Sequence, residues 1–147
     1  MLGLELLSPD LVTRLRHASS ARQRAASLVA AEFAISHAQV EHRLVAKALE
    51  KVRTTGILTD EENAEVEVLA ARLDEEYFEL QEAAEQGIAS ADEYLRMFAK
   101  ARAVTALSFA GNEDAFRAAT ESIYEAAATI RGDDKGELFA LLESVLA

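Results

Sequence analysis

Residues 20–55 constrain the fold of this chain more than any other stretch, because apolar side chains recur there at helical spacing along two seams. One seam comprises Leu28, Ala31, Ile35, Ala38, His42, Val45, Leu49 and Val52, and the other comprises Ala26, Ala30, Phe33, His37, Val40 and Leu44. A helix that is apolar over more than half of its circumference must be covered from two sides. The pattern predicts one long helix, Ser20–Thr55, packed between other helices or against a second copy of the chain.

Helix start and stop signals divide the rest of the chain. Ser8-Pro9-Asp10 combines an N-cap, a proline at the first helical position and an acid in the first turn. It predicts a short helix over 9–18 that either bends before the long helix or continues into it. Gly56 ends the long helix, since glycine adopts the left-handed conformation without steric cost. Capping residues and glycines predict the remaining helices over Thr59–Gly87, Ser90–Gly111, Asn112–Gly132 and Asp134–Val145.

These signals predict an all-α fold. The length of 147 residues suits one domain, 1–147, with residues 1–8 as an N-terminal arm. The sequence contains no cysteine, so the fold has no disulfide or zinc-thiolate site to stabilise it. Because residues 56–58 form a short connection between the two longest predicted helices, we expect a helical bundle of four to five helices built on a long antiparallel helical hairpin.

Charge is distributed unevenly along the chain, whose net charge is −11. Residues 59–86 hold eleven acidic residues and a single base, Arg72, and so account for most of this charge. The long helix carries six bases and three acids, and the opposite charges favour its pairing with the acidic helix. The unpaired acids form a solvated face, a docking surface for a basic protein partner or a mimic of a phosphate backbone. The candidate partner-facing acids are Glu67, Asp74, Glu75, Glu79 and Glu82.

The predicted hairpin has more apolar surface than the shorter helices can cover. Homodimerisation through the hairpin is the first explanation, since closed two-fold dimers are the commonest oligomers. Coverage by the N-terminal segment or the last helix is the second. A separate hypothesis is an apolar pocket for a small ligand between the helices, lined by Phe33, His37, Tyr77, Tyr94, Met97 and Phe98. The candidate residues of the pocket or dimer seam are Phe33, His37, His42, Tyr77 and Phe78.

Catalytic and metal-binding motifs are scarce. The histidines His17, His37 and His42 all lie in the first third of the chain, and none has the Glu-x-x-His spacing of di-metal bundles. His37 and Glu41 stand at i, i+4, but we predict that His37 and His42 are core residues. No Gly-rich phosphate loop or nucleophile elbow occurs. The sequence therefore predicts neither an enzyme nor a cofactor.

Composition limits the kinds of partner, the cellular location and the source that the sequence suggests. A pI of about 4.7 without a basic stripe predicts no direct nucleic-acid binding. No apolar run is long enough to span a membrane and the N-terminus lacks a basic signal region, so we expect a cytoplasmic protein. Eleven arginines against four lysines, with abundant alanine, are typical of a bacterial source with GC-rich DNA.

The sequence as a whole predicts a non-catalytic cytoplasmic helical-bundle protein that acts through protein–protein interaction or assembly. We expect it to be a homodimer with an acidic helix that faces a partner. The alternative is a small apolar ligand-binding or sensor domain, and a metal-dependent enzyme is the third hypothesis.

Overall fold

The computed structural model describes residues 2–147, which form eight α-helices and, within that range, no strand. The all-α prediction is confirmed, with more helices than the four to five expected. None of the helices within residues 2–147 combines the length and the apolar character needed to cross a lipid bilayer. The helices are α1 (Gly3–Leu7), α2 (Pro9–His17), α3 (Ser20–His37), α4 (Arg43–Thr55), α5 (Asp60–Glu85), α6 (Ala91–Ala110), α7 (Ala115–Ala128) and α8 (Gly136–Leu146).

The single long helix predicted over Ser20–Thr55 is wrong, because α3 ends at His37 and α4 begins at Arg43. Gln39 adopts a left-handed φ of 57° and ends α3 in a Schellman motif. In that motif the Gln39 N–H donates to the Ser36 carbonyl at 3.2 Å, and the Val40 N–H donates to the Ile35 carbonyl at 3.0 Å. Gln39 occupies the position where glycine is usual, so the sequence contains no obvious stop signal there.

The predicted pairing of the long helix with the acidic helix is not confirmed, since α5 packs mainly along α6. The paired residues show that α5 and α6 are antiparallel, because the partner's number falls as the α5 number rises. These pairs are Asn63 with Ser108, Asp74 with Arg102 and Tyr77 with Phe98. The short α4 contacts only part of α5, where Lys51 Nζ lies 3.6 Å from Glu62 Oε2.

The structure also settles the α2–α3 junction, the cap of α7 and the predicted N-terminal arm. Ala18 is extended and Ser19 caps α3, so α2 and α3 are separate helices. Asp114, rather than the predicted Asn112, caps α7 by accepting a hydrogen bond from the Arg117 N–H at 3.1 Å. Within the predicted N-terminal arm, Gly3–Leu7 is helical and Leu4 is only 1% exposed, packed in the core with α7. Gly3–Leu7 is therefore part of the fold rather than an arm.

Helix α6 lies between two apolar clusters and contributes residues to both. Ala103 and Ala106 belong to the cluster shared with α1, α2, α3, α7 and α8, whereas Val104 and Leu107 belong to the cluster shared with α4 and α5. Small side chains allow helices to approach closely. The fully buried alanines of α3, α6 and α7 are Ala26, Ala30, Ala31, Ala34, Ala101, Ala103, Ala106, Ala110, Ala118, Ala119, Ala126 and Ala127.

Two connections, 56–59 and 111–114, are held together at one end of the bundle. The N–H of the buried Leu58 donates to the Gly111 carbonyl at 3.0 Å. The Arg24 guanidinium donates to the carbonyls of Gly56 at 3.1 Å, Glu113 at 2.5 Å and Asn112. One side chain on α3 thus fixes the loops that precede α5 and α7.

Candidate functional site

The exposed side of α5 carries five of the eleven acidic residues of this helix together with two large apolar side chains. We call this surface the α5 outer face. Its apolar members, Val68 and Phe78, are each 60% exposed, although isolated hydrophobic residues of this size usually lie in a core. The residues that define the α5 outer face, all of them exposed, are Glu61, Ala64, Glu65, Val68, Ala71, Arg72, Glu75, Phe78, Glu79 and Glu82.

A shallow hollow of about 380 Å³ lies beside Val68, between α5 and the start of α4. Its walls are mostly apolar, with Leu44 and Leu69 at its base. His42 also lines it, and the His42 Nδ1 accepts a hydrogen bond from the Leu44 N–H at 3.1 Å. His42 is therefore an exposed N-cap of α4 and not the core residue that the seam predicted. The hollow is large enough for one apolar side chain of a partner.

The five predicted partner-facing acids divide into two groups. Glu75, Glu79 and Glu82 lie on the α5 outer face. Glu67 is exposed but accepts a hydrogen bond from Asn63 Nδ2 at 2.9 Å. Asp74 is half-buried against α6, so only three of the five acids share one outward surface.

Asp74 belongs to an ion cluster centred on Arg102 of α6. The Arg102 guanidinium contacts Asp74 Oδ2 at 2.9 Å and Glu125 Oε2 of α7 at 3.0 Å, so it links three helices. Burial raises the pKa of the Glu125 carboxyl above its ordinary 4.5, although the Arg102 charge opposes this effect. A buried charge must be paired, which explains why two acids surround one arginine. Sequence analysis missed this cluster, although a lone arginine between Ala101 and Ala103 on a buried helix signals it.

The predicted pocket or seam residues lie in three separate places. Phe33 and His37 stack with ring centroids 5.3 Å apart at the end of α3. Tyr77 packs against Phe98 and Tyr94, with centroids 5.2 and 6.1 Å away, between α5 and α6. Phe78 contacts Tyr77 but faces solvent, and His42 lies on α4. The structure therefore does not bring these residues into one pocket, and His37 is exposed rather than buried.

A larger groove, of about 740 Å³, lies where the ends of α3 and α7 meet the first half of α6. We call it the α3–α6–α7 groove. Arg131 contacts Asp92 Oδ1 at 2.7 Å on its rim and lowers the pKa of that carboxyl. The residues that line the groove are His37, Ala38, Gln39, Leu80, Glu93, Arg96, Met97, Ala99, Lys100, Thr129, Ile130 and Arg131.

Among residues 2–147, no three histidine or acidic side chains are grouped closely enough to hold a metal ion. Comparison with known proteins finds no matching family model, curated protein or solved structure.

Proposed function

We propose that this chain is a non-catalytic cytoplasmic interaction protein that binds a basic partner protein through the α5 outer face. The observation that carries the proposal is the combination of Val68 and Phe78, both 60% exposed, with acids at 61, 65, 75, 79 and 82 on the same face. Large apolar groups surrounded by charged ones are typical of protein–protein interfaces. The partner surface that fits is amphipathic, with one apolar anchor and several Lys or Arg residues.

The hollow beside Val68 offers one place where an apolar side chain of the partner would bind. Val68 and His42 line it, with Leu44 and Leu69 at its base. Interface energy concentrates in a few side chains that fill such pockets, while charges on the rim mainly set the association rate and the choice of partner. Within this proposal, the hollow and Phe78 are the two apolar anchor points, and the acids select a cationic partner.

The homodimer is predicted from the apolar seam along one continuous helix. Ala31, Val45 and Val52 of that seam are buried inside the chain. A two-fold contact through the α5 outer face would place acids against acids, which is unfavourable. We therefore assign the α5 outer face to a heterologous partner. The homodimer itself stays a prediction, which the solution mass from light scattering after size exclusion tests.

Affinity capture with matched variants tests the proposed function. The face variant combines Phe78→Ala with Glu75→Gln, Glu79→Gln and Glu82→Gln. The control variant combines Leu141→Ala with Glu41→Gln, Glu113→Gln and Glu143→Gln, which changes the net charge equally at exposed positions elsewhere. We expect the wild type and the control to retain the same basic protein from the native cell extract, at a fixed stoichiometry, and the face variant to lose it.

Two results would contradict the proposal. The first is equal recovery of that protein by the face variant, because binding would then not use the α5 outer face. The second is recovery of no protein at a fixed stoichiometry by the wild type at low salt. Circular dichroism of each variant establishes that the helices are intact before capture.

A further inference from the structure

The α3–α6–α7 groove concentrates positive charge on a chain whose net charge is −11. Arg96, Lys100 and Arg131 line it, against one acidic lining residue, Glu93. Arg96 and Arg131 also share a single counter-ion, Asp92, at 3.4 and 2.7 Å. Within residues 2–147, Lys100 has no carboxylate within ion-pair distance, and it is partly buried rather than fully solvated.

The floor of the groove is apolar. Leu80 of α5, Met97 of α6 and Ile130 after α7 contribute partly buried hydrophobic side chains to it. The volume of about 740 Å³ lies within the usual range for small-molecule sites, which is roughly 300–1,000 Å³. Such sites combine a mostly apolar lining with a few polar groups that orient the ligand.

From this juxtaposition we infer that the α3–α6–α7 groove binds a small anionic amphiphile, a single-chain carboxylate whose head contacts Lys100 and Arg96 and whose chain lies on Met97, Leu80 and Ile130. Lys100 and Arg96 are four residues apart on α6, so their side chains are neighbours that can reach one carboxylate. This ligand class adds a charged head group to the small apolar ligand of the alternative hypothesis from the sequence.

A structural role accounts for only part of this charge. Arg131 follows the end of α7, so its position complements the negative end of that helix dipole. Lys100 lies in the middle of α6, away from the ends of its own helix. Lys100 is therefore the residue whose charge the fold explains least and the one on which the test depends.

Methyl NMR of protein labelled with ¹³C-methyl methionine provides a direct readout. The chain has two methionines, and loss of one signal in Met97→Leu assigns the groove methyl. Dodecanoate, titrated below micelle formation, is the probe, and dodecyltrimethylammonium is the matched cationic amphiphile. We expect a saturable shift of the Met97 signal with dodecanoate alone. In Lys100→Gln the dissociation constant should rise about three- to fivefold, as loss of one partly solvated ion pair implies.

Matched variants make the outcome decisive. Lys47→Gln changes the same charge at an exposed position on α4 and should leave dodecanoate affinity unchanged. Arg96→Gln should weaken binding as Lys100→Gln does, and it replaces that variant if Lys100→Gln does not fold. The inference is overturned by an unmoved Met97 signal, by equal binding of the cationic amphiphile, or by an unchanged dodecanoate affinity in Lys100→Gln or its replacement Arg96→Gln. The face variant of α5 should bind dodecanoate normally, so this inference and the proposed function fail independently.

Discussion

Replacing Gly111 by alanine should destabilise the fold at the junction of the two connections. The backbone φ of Gly111 is −84°, which alanine adopts without strain, so the effect comes from packing alone. The added methyl would lie 2.5 Å from Leu58 Cγ and 2.7 Å from Leu58 Cδ1. Leu58 is only 7% exposed and cannot turn into solvent without losing its contacts. The clash must therefore separate the connections that precede α5 and α7.

The expected cost follows from three contributions. Overpacking a core costs about 1–3 kcal/mol. Weakening the 3.0 Å hydrogen bond from the Leu58 N–H to the Gly111 carbonyl adds about 1 kcal/mol. The lower conformational entropy of alanine in the unfolded chain offsets about 0.4–1 kcal/mol of this loss of stability. The free energy of unfolding should fall by about 2 kcal/mol, which lowers Tm by about 4–8 °C in a chain of this length.

Urea unfolding followed by far-UV circular dichroism measures this loss, and a double-mutant cycle locates it. Leu58→Ala alone should cost about 2–4 kcal/mol, since Leu58 is almost fully buried. In the Gly111→Ala background Leu58→Ala should cost about 1 kcal/mol less, because it also removes the clash. A Gly111→Ala variant within about 0.5 kcal/mol of the wild type, or strictly additive single costs, would refute the packing argument.

Three further perturbations test other contacts. Arg24→Lys should lower the free energy of unfolding by about 1–3 kcal/mol, because lysine cannot donate to three carbonyls as the planar guanidinium does. The control Arg22→Lys, which loses one exposed 3.3 Å contact, should cost less. Equal urea midpoints for the two variants would contradict the proposed role of Arg24. Gly56 has φ +84°, so Gly56→Val should lower Tm more than Gly56→Asn, and no difference between them would show that the left-handed backbone is unimportant. Burial raises the pKa of Glu125, so the stabilising contribution of this carboxyl is complete below pH 4.5 and is lost as the pH rises through the folded-state pKa. The unfolding free energy of the wild type minus that of Glu125→Gln should therefore fall as the pH rises from about 4 to 7. An increase of this difference with pH would contradict the effect of burial.

Local sequence determines much of this fold, because helix termini depend on short-range chemistry. Ser8, Thr59 and Ser90 cap helices through side chains that accept a backbone hydrogen bond three residues later, and each was recognisable from the sequence alone. Gly56 adopts the left-handed conformation that its position implies. The apolar spacing likewise predicts an all-α fold, since helical periodicity depends only on the order of side chains.

Tertiary structure decided the break at 38–42, where local signals mislead. The apolar spacing continues through this turn because α3 and α4 both bury residues against α6, so the same pattern suits one helix or two. Gln39 and His42 take the terminal roles usually filled by glycine and by serine or aspartate. Their conformations depend on packing rather than on intrinsic preference.

The same distinction separates the candidate site residues. Acidic residues at helical spacing are visible in the sequence, so Glu75, Glu79 and Glu82 could be assigned to one face. Asp74 could not be excluded from that face, because its partner Arg102 is 28 positions away along the chain and becomes a neighbour only when α5 packs on α6. The α3–α6–α7 groove likewise depends on where three helices end relative to one another. Helix pairing is a non-local property of the packed core, and the functional surfaces follow from it.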